Sequence, residues 1–201
     1  SKSEINFFSK TEDVASGYEK NGAVGISILT DEYFFGGSNN DLKIVKEICN
    51  IPVLRKDFIV DEYQIVESKS IGADTILLIA AILSDKQILK FSKLAKRLGL
   101  GVLTEIHSLD DLHKCDLTYI DIIGVNNRNL KTFKVDLKYS IEVYNKIPNE
   151  VVKISESGIE DVNDVKLLID IGYDGFLIGE RFMKSKNPGL SFKNFINELS
   201  C

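Results

Sequence analysis

Apolar and polar positions along the chain alternate between two rhythms. Seven short runs of aliphatic and β-branched residues recur: AVGISILT (23–30), IPVLRKD (51–57), DTILLIAA (74–81), GVLTEIH (101–107), YIDIIGVN (119–126), VVKISES (151–157) and DGFLIGE (174–180). Their length and nearly continuous apolar character predict strands buried on both faces. Between them apolar residues return at helical spacing, as in Leu42, Val45, Ile48 and Cys49, in Ile88, Phe91, Leu94, Ala95 and Leu98, and in Val165, Leu168 and Ile169. Helix boundaries are marked too: Ser84 and Ser108 stand as N-caps before acidic first turns, and Gly72, Gly99 and Gly172 follow helices as stops. Strand starts recur at intervals of about 25 residues, the repeat of a strand plus its crossover helix. No linker or low-complexity stretch divides the series, so residues 1–201 read as a single domain.

Alternating strands and helices fit either an open doubly wound sheet or a closed barrel, and the polar residues at strand ends separate the two. Thr30 and Asp31, Lys56 and Asp57, Glu105 and His107, Asn126 to Arg128, and Glu156 and Ser157 all stand at carboxyl ends. A barrel gathers those ends at one mouth, whereas an open sheet spreads several away from its crevice. No G-x-G-x-x-G follows any strand, so the usual dinucleotide-binding turn is missing. The expected fold is an α/β (β/α)8 TIM barrel. Ahead of the first run there is only a helical stretch, residues 12–21, preceded by SKSEINFFSK, too short for a strand, a loop and a helix start. The first barrel strand is therefore expected to be absent, with the strands at Ala23 and Asp174 flanking a gap whose open edges would favour self-association or a partner chain.

Composition narrows the function. Among 201 residues, 44% are hydrophobic and 27% charged, with acidic and basic side chains interleaved and a formal net charge of -5, which argues against nucleic acid as a partner. The longest apolar run, residues 76–83, is too short to span a membrane, and the amino end lacks a signal-peptide pattern, so a cytoplasmic location is expected. Cys49, Cys115 and Cys201 are odd in number and far apart, and with only His107 and His113 beside them neither disulfides nor a metal site is expected.

The chemistry sits on strand ends. Lys56 shares a strand face with Leu54, so it is expected to point into the mouth while Arg55 and Asp57 point outward. Glu105 and Glu156 follow small or polar residues where an apolar strand would have continued, and a lysine facing two glutamates is a set suited to general acid and base work. Asn126 is placed to bond a substrate hydroxyl or carboxylate, and Arg128 either clamps an anion or holds its loop. Ser157-Gly158 and Gly179-Glu180 follow the last two strands, where barrels often bind phosphate through backbone N–H groups and a short extra helix. His107 and His113 read as a loop residue and a helix-surface residue, with no chemistry assigned.

These segments, together with SILTDEYFFGGSNNDL, PVLRKDFIVDEYQI, GADTILLIAAIL, VLTEIHS, IIGVNNRNLKTF, VVKISESGI and GFLIGERFM, resemble the indole-3-glycerol-phosphate synthase family along essentially the whole chain. The resemblance implies a lyase of tryptophan biosynthesis that takes a small sugar phosphate, 1-(2-carboxyphenylamino)-1-deoxyribulose 5-phosphate, to indole-3-glycerol phosphate with loss of carbon dioxide and water, with no organic cofactor and no metal. It implies Lys56 as the general acid at the ribulose carbonyl and Glu105 as the partner in later proton transfers. Asn126 and Glu156 would position the anilino and hydroxyl groups, Phe58 and Leu78 would form apolar walls against the aromatic ring, and Ser157, Gly158, Gly179 and Glu180 would grip phosphate. Two positions depart from the family pattern: Asn129 stands where an aspartate is usual, and Arg181 where a small residue is. Ser1-Lys2 looks like the end of a Ser-Pro-Ser-Lys motif, which would leave the family's first-strand lysine and glutamate outside this chain.

Three other readings remain open on the sequence: a neighbouring sugar-phosphate isomerase that would need an aspartate and cysteine pair, Schiff-base aldol chemistry at Lys56, and a fragment or binding-only subunit without turnover.

Overall fold

The computed structural model describes residues 9–130 and 132–200. Seven strands, β1 (Ile26–Leu29), β2 (Val53–Lys56), β3 (Thr75–Ile79), β4 (Gly101–Ile106), β5 (Ile122–Asn126), β6 (Val152–Glu156) and β7 (Gly175–Leu177), correspond to the seven apolar runs. All pair in parallel, each with its sequence neighbour, in the order β1-β2-β3-β4-β5-β6-β7. This is the strand order of a (β/α)8 barrel wall. Among the described residues β1 and β7 pair on one side only. The expectation that residues 4–8 form no strand concerns residues outside the described ones.

Ten helices surround the sheet: α1 (Thr11–Lys20), α2 (Glu32–Phe35), α3 (Asn39–Ile48), α4 (Glu62–Ser70), α5 (Asp85–Arg97), α6 (Leu109–His113), α7 (Lys138–Val143), α8 (Val162–Ile171), α9 (Glu180–Met183) and α10 (Pro188–Leu199). The caps fall where the side chains favour them: Ser84 forms a capping box with Gln87, Ser108 accepts from the Asp111 N–H, and Gly172 closes α8 in the left-handed conformation. No described helix is long and apolar enough to cross a membrane.

Strand alternation produces two apolar layers. Outward residues such as Val53, Ile76, Leu78, Val102, Ile106, Ile123 and Val125 pack against the apolar stripes of the helices. Inward residues Leu77, Ile79 and Leu103, with Leu54, Phe58, Ile122 and Ile154 against them, form a smaller cluster inside the curl of the sheet. The inner cluster is the floor beneath the polar strand ends, and the two-residue period decides which residue of each strand reaches the mouth.

Candidate active site

Lys56, at the end of β2, lies between two carboxylates. Its Nζ is 3.1 Å from Glu105 Oε2 and 3.1 Å from Glu156 Oε2, and the side chains of the three are 18%, 5% and 2% exposed. Strand register brings them together: Leu54 and Lys56 share the inner face of β2, Ile79 pairs with Glu105, and Asn126 pairs with Glu156. Gly124 is needed beneath them, because a Cβ there would run into the Glu156 carboxylate. Arg55 turns outward as expected, bonding Thr30, Asp57, Glu67, Ser68 and the Gln64 carbonyl. Thr30 and Asp57 therefore anchor β1 and β2 on the helix side and do not join the mouth.

Burial and charge pull in opposite directions here. Burial alone would push the Lys56 ammonium down, but the charges of Glu156 and Glu105 and their hydrogen bonds hold it above the ordinary lysine range. Burial raises Glu156, with Glu105 adding to the effect against the pull of Lys56, to about 7. Glu105 ends below the usual carboxylate range, since Lys56, His107 and a hydrogen bond from Asn126 outweigh its burial. Two carboxylates in one cavity are thus driven apart, one toward the acid form and one toward the base form.

Asn126 accepts the Arg128 N–H at 2.9 Å through Oδ1 while its amide faces Glu105. The adjacent Asn127 is buried and fully engaged. Its amide donates to Ser155 Oγ and to the Glu156 and Ser157 carbonyls, and its Oδ1 accepts from the Ser140 N–H and Oγ. Asn127 fixes the backbone that carries both Glu156 and Ser157.

The apolar wall differs from expectation at one position. Leu78 is fully buried among the outward residues of β3 and pairs with Thr104, so it faces the helices and not the mouth. Leu77 and Ile79 face inward instead. After Thr75 the strand is apolar throughout, so no polar residue marks the phase at its carboxyl end; the pairing of Ile79 with Glu105 sets it. Phe58 does stand beside the mouth, and Phe35 stacks on it with centroids 5.0 Å apart and planes 12° apart, while Phe34 meets it edge-on at 5.3 Å. Both come from α2, capped by Asp31, and neither was singled out from the sequence. The signal was present in Phe-Phe shortly after a strand end and directly before Gly-Gly.

The ends of β6 and β7 approach one another. Ser157 (φ 65°) and Gly158 (φ 76°) form a left-handed turn, and Gly179 precedes α9. Arg128 reaches across to Glu180 at 2.9 Å, and Arg181 Nε donates to the Glu160 carbonyl, tying α9 to the loop after β6. Arg128 thus links the loop after β5 to α9. A Cβ on Gly158 would strike Val135, part of the segment that folds back through the Arg128–Val135 bridge. Gly158→Ala is expected to cost about 1–3 kcal/mol, the strain of a left-handed non-glycine residue, read as a lowered urea midpoint.

His107, assigned no chemistry from sequence, lies on the same face as Glu105, its Nε2 3.3 Å from Glu105 Oε1 and its side chain 10% exposed. His113 lines an apolar cleft beside α6 with Leu109, Leu112 and Cys115, away from the strand ends. Among the described residues no group of three or more His, Cys, Asp or Glu side chains could hold a metal ion.

Comparison with known proteins follows the same outline. A sequence model described as indole-3-glycerol phosphate synthase matches residues 1–195. Proteins named indole-3-glycerol phosphate synthase from Bacteroides thetaiotaomicron and Prochlorococcus marinus subsp. pastoris are 44% identical over 199 residues and 47% identical over 196 residues. The matches span 99% and 94% of this chain and 76% and 66% of those proteins. Among solved structures, KGPDC from Streptococcus mutans has a TM-score of 0.71 at 14% identity, covering 94% of this chain and 90% of that one. A thiamine phosphate pyrophosphorylase from Pyrococcus furiosus has a TM-score of 0.71 at 12% identity, covering 96% and 90%. At such identities these structures bear on the fold alone.

Proposed function

The chain belongs to the indole-3-glycerol phosphate synthase family, and on that premise we propose that Lys56, Glu105 and Glu156 carry the ring closure, decarboxylation and dehydration that form indole-3-glycerol phosphate. The observation that supports this assignment best is the Lys56 ammonium held between two buried carboxylates at the carboxyl end of the strands.

In this reading the aromatic ring of 1-(2-carboxyphenylamino)-1-deoxyribulose 5-phosphate lies against Phe35 and Phe58, with Leu77 and Ile79 below. The ring carbon bearing the carboxylate attacks the ribulose carbonyl carbon, and Lys56 delivers its proton to the carbonyl oxygen as the new carbon–carbon bond forms. The carboxylate leaves as carbon dioxide, its bonding pair returning to the ring. Glu105 then takes a proton from the carbon beside nitrogen, and the hydroxyl derived from the carbonyl departs as water with a delivered proton. Asn126 and Glu156 orient the anilino nitrogen and the hydroxyl groups. The turns at Ser157-Gly158 and Gly179-Glu180 hold phosphate through backbone N–H groups, with Arg128 setting their spacing through Glu180.

The electrostatics favour acid chemistry over a Schiff base, since a lysine held above its usual pKa keeps its proton and presents no free amine. The isomerase alternative needs a cysteine acid at the mouth, but among the described residues Cys49 is buried against the helices and Cys115 follows α6. Turnover measured through the growth of indole fluorescence tests the proposal. The expected result is product formation without covalent labelling; a borohydride-trapped adduct on Lys56 in place of indole would overturn it.

A further inference from the structure

We propose that His107 is a positioning residue for Glu105 that passes it the proton consumed in each turnover, so that the mouth is recharged along His107, Glu105 and Lys56. The inference rests on the ring-closure reading above. With the substrate carboxylate ionised, its conversion to a neutral indole, carbon dioxide and water consumes one proton. Two protons are delivered, one to the carbonyl oxygen and one to the departing hydroxyl, and only one is recovered, from the carbon beside nitrogen. The deficit falls on Lys56, which is mostly buried and whose Nζ contacts Glu105 and Glu156.

The geometry supplies a route. Lys56 Nζ lies 3.1 Å from Glu105 Oε2, and the other oxygen of the same carboxylate, Oε1, lies 3.3 Å from His107 Nε2. His107 follows β4 two residues beyond Glu105, and so sits one step nearer the mouth opening on the same face. Both ring nitrogens are buried and neither makes a hydrogen bond. Leaving such groups unpaired is costly, which calls for a use. The backbone is held in place, because the His107 N–H donates to Asp111 Oδ2 at 3.0 Å and Asp111 is itself paired with Lys114 at 3.1 Å.

Burial keeps the imidazole below its ordinary pKa despite the opposing charges of Glu105 on its own strand and Asp111 on α6, with Lys56 on β2 lowering it further. A neutral ring accepts a proton and releases it readily. In the step itself, a water or buffer acid admitted beside the unpartnered Nδ1 gives it a proton to form an imidazolium. The Nε2–H bond then breaks, its pair staying on the ring, and the proton joins Glu105 Oε1. The carboxyl group turns about its Cγ–Cδ bond to bring that O–H to the Lys56 side and passes its proton to the neutral Lys56 amine, and the ring returns to its first tautomer by exchange with water. Charge is conserved at each transfer, and the only co-reactant is the solvent acid.

The test uses the full-length enzyme and adds imidazole as the probe. His107→Ala is expected to lower kcat by about tenfold at mildly alkaline pH, where solvent acid is scarce, with KM little changed, and added imidazole should restore most of the loss. His107→Asn, polar but unable to titrate near neutrality, should show the same loss. A His107→Ala kcat within about twofold of the parent at mildly alkaline pH would overturn the proposal. So would a loss that imidazole leaves unchanged, which would make the residue merely structural. If the parent enzyme itself forms no indole, the ring-closure reading fails first.

Discussion

Replacing Lys56 with methionine is expected to lower kcat by at least about a hundredfold, the usual worth of a positioned general acid. Methionine keeps much of the stem that packs above the inner apolar cluster while removing the proton and the charge. The loss should fall on kcat more than on KM, because the proton is delivered only as the carbon–carbon bond forms. A second consequence follows from burial. Glu105 and Glu156 are 5% and 2% exposed and both contact Lys56. Without the ammonium they would face each other as buried carboxylates and share one proton. The proton that Glu156 takes up near pH 7 in the parent should therefore be held to higher pH in the variant, where no ammonium favours the two anions. Steady-state kinetics with circular dichroism to verify folding makes the check, and a folded Lys56→Met enzyme with near-parental kcat would remove the lysine from its role.

Glu105→Gln is expected to cost a similar factor, about 10² to 10⁴ in kcat, for a different reason. Glutamine preserves the volume and a hydrogen-bonding oxygen, so the mouth keeps its shape. It loses the base that takes the carbon-bound proton, and it interrupts the contact between His107 and Lys56. Lys56 retains Glu156 as a partner, so no uncompensated buried cation is left and folding should survive. Because the two residues serve successive steps of one turnover and touch each other, the double variant Lys56→Met with Glu105→Gln should be scarcely slower than the worse single variant. Multiplicative losses in the double variant would mean that the residues act independently.

Much of this arrangement was legible in the sequence because the physics that places it is local. Lys56, Glu105 and Glu156 interrupt otherwise apolar strands, and a polar residue at an inward position marks the strand's phase. Where that marker was missing, the reading failed: residues 76–79 of β3 are apolar on both faces, and the pairing with β4 turns Leu77 inward and Leu78 outward. Strand limits were drawn wide for a related reason. The run at 23–30 continues past the paired residues Ile26–Leu29, since apolar character does not reveal where a ladder begins. Phe34 and Phe35 escaped notice because a four-residue helix in a loop has no periodicity, and their role appears only when Phe58 from the next strand comes beside them. Asn127 and His107 were underestimated because their importance lies in partners far along the chain, Ser140 and Ser155 for the one and the Glu105–Lys56 pair for the other.

The most direct measurement of the central claim is a crystal structure of the full-length enzyme with a substrate analogue whose ribulose carbonyl is reduced to a hydroxyl. That hydroxyl is expected within hydrogen-bond distance of Lys56 Nζ, about 3 Å, with the aromatic ring against Phe35 and Phe58 and the phosphate on the Ser157-Gly158 and Gly179-Glu180 turns. An analogue bound with its hydroxyl out of reach of Lys56, or with its phosphate at the amino end of the strands, would contradict the account.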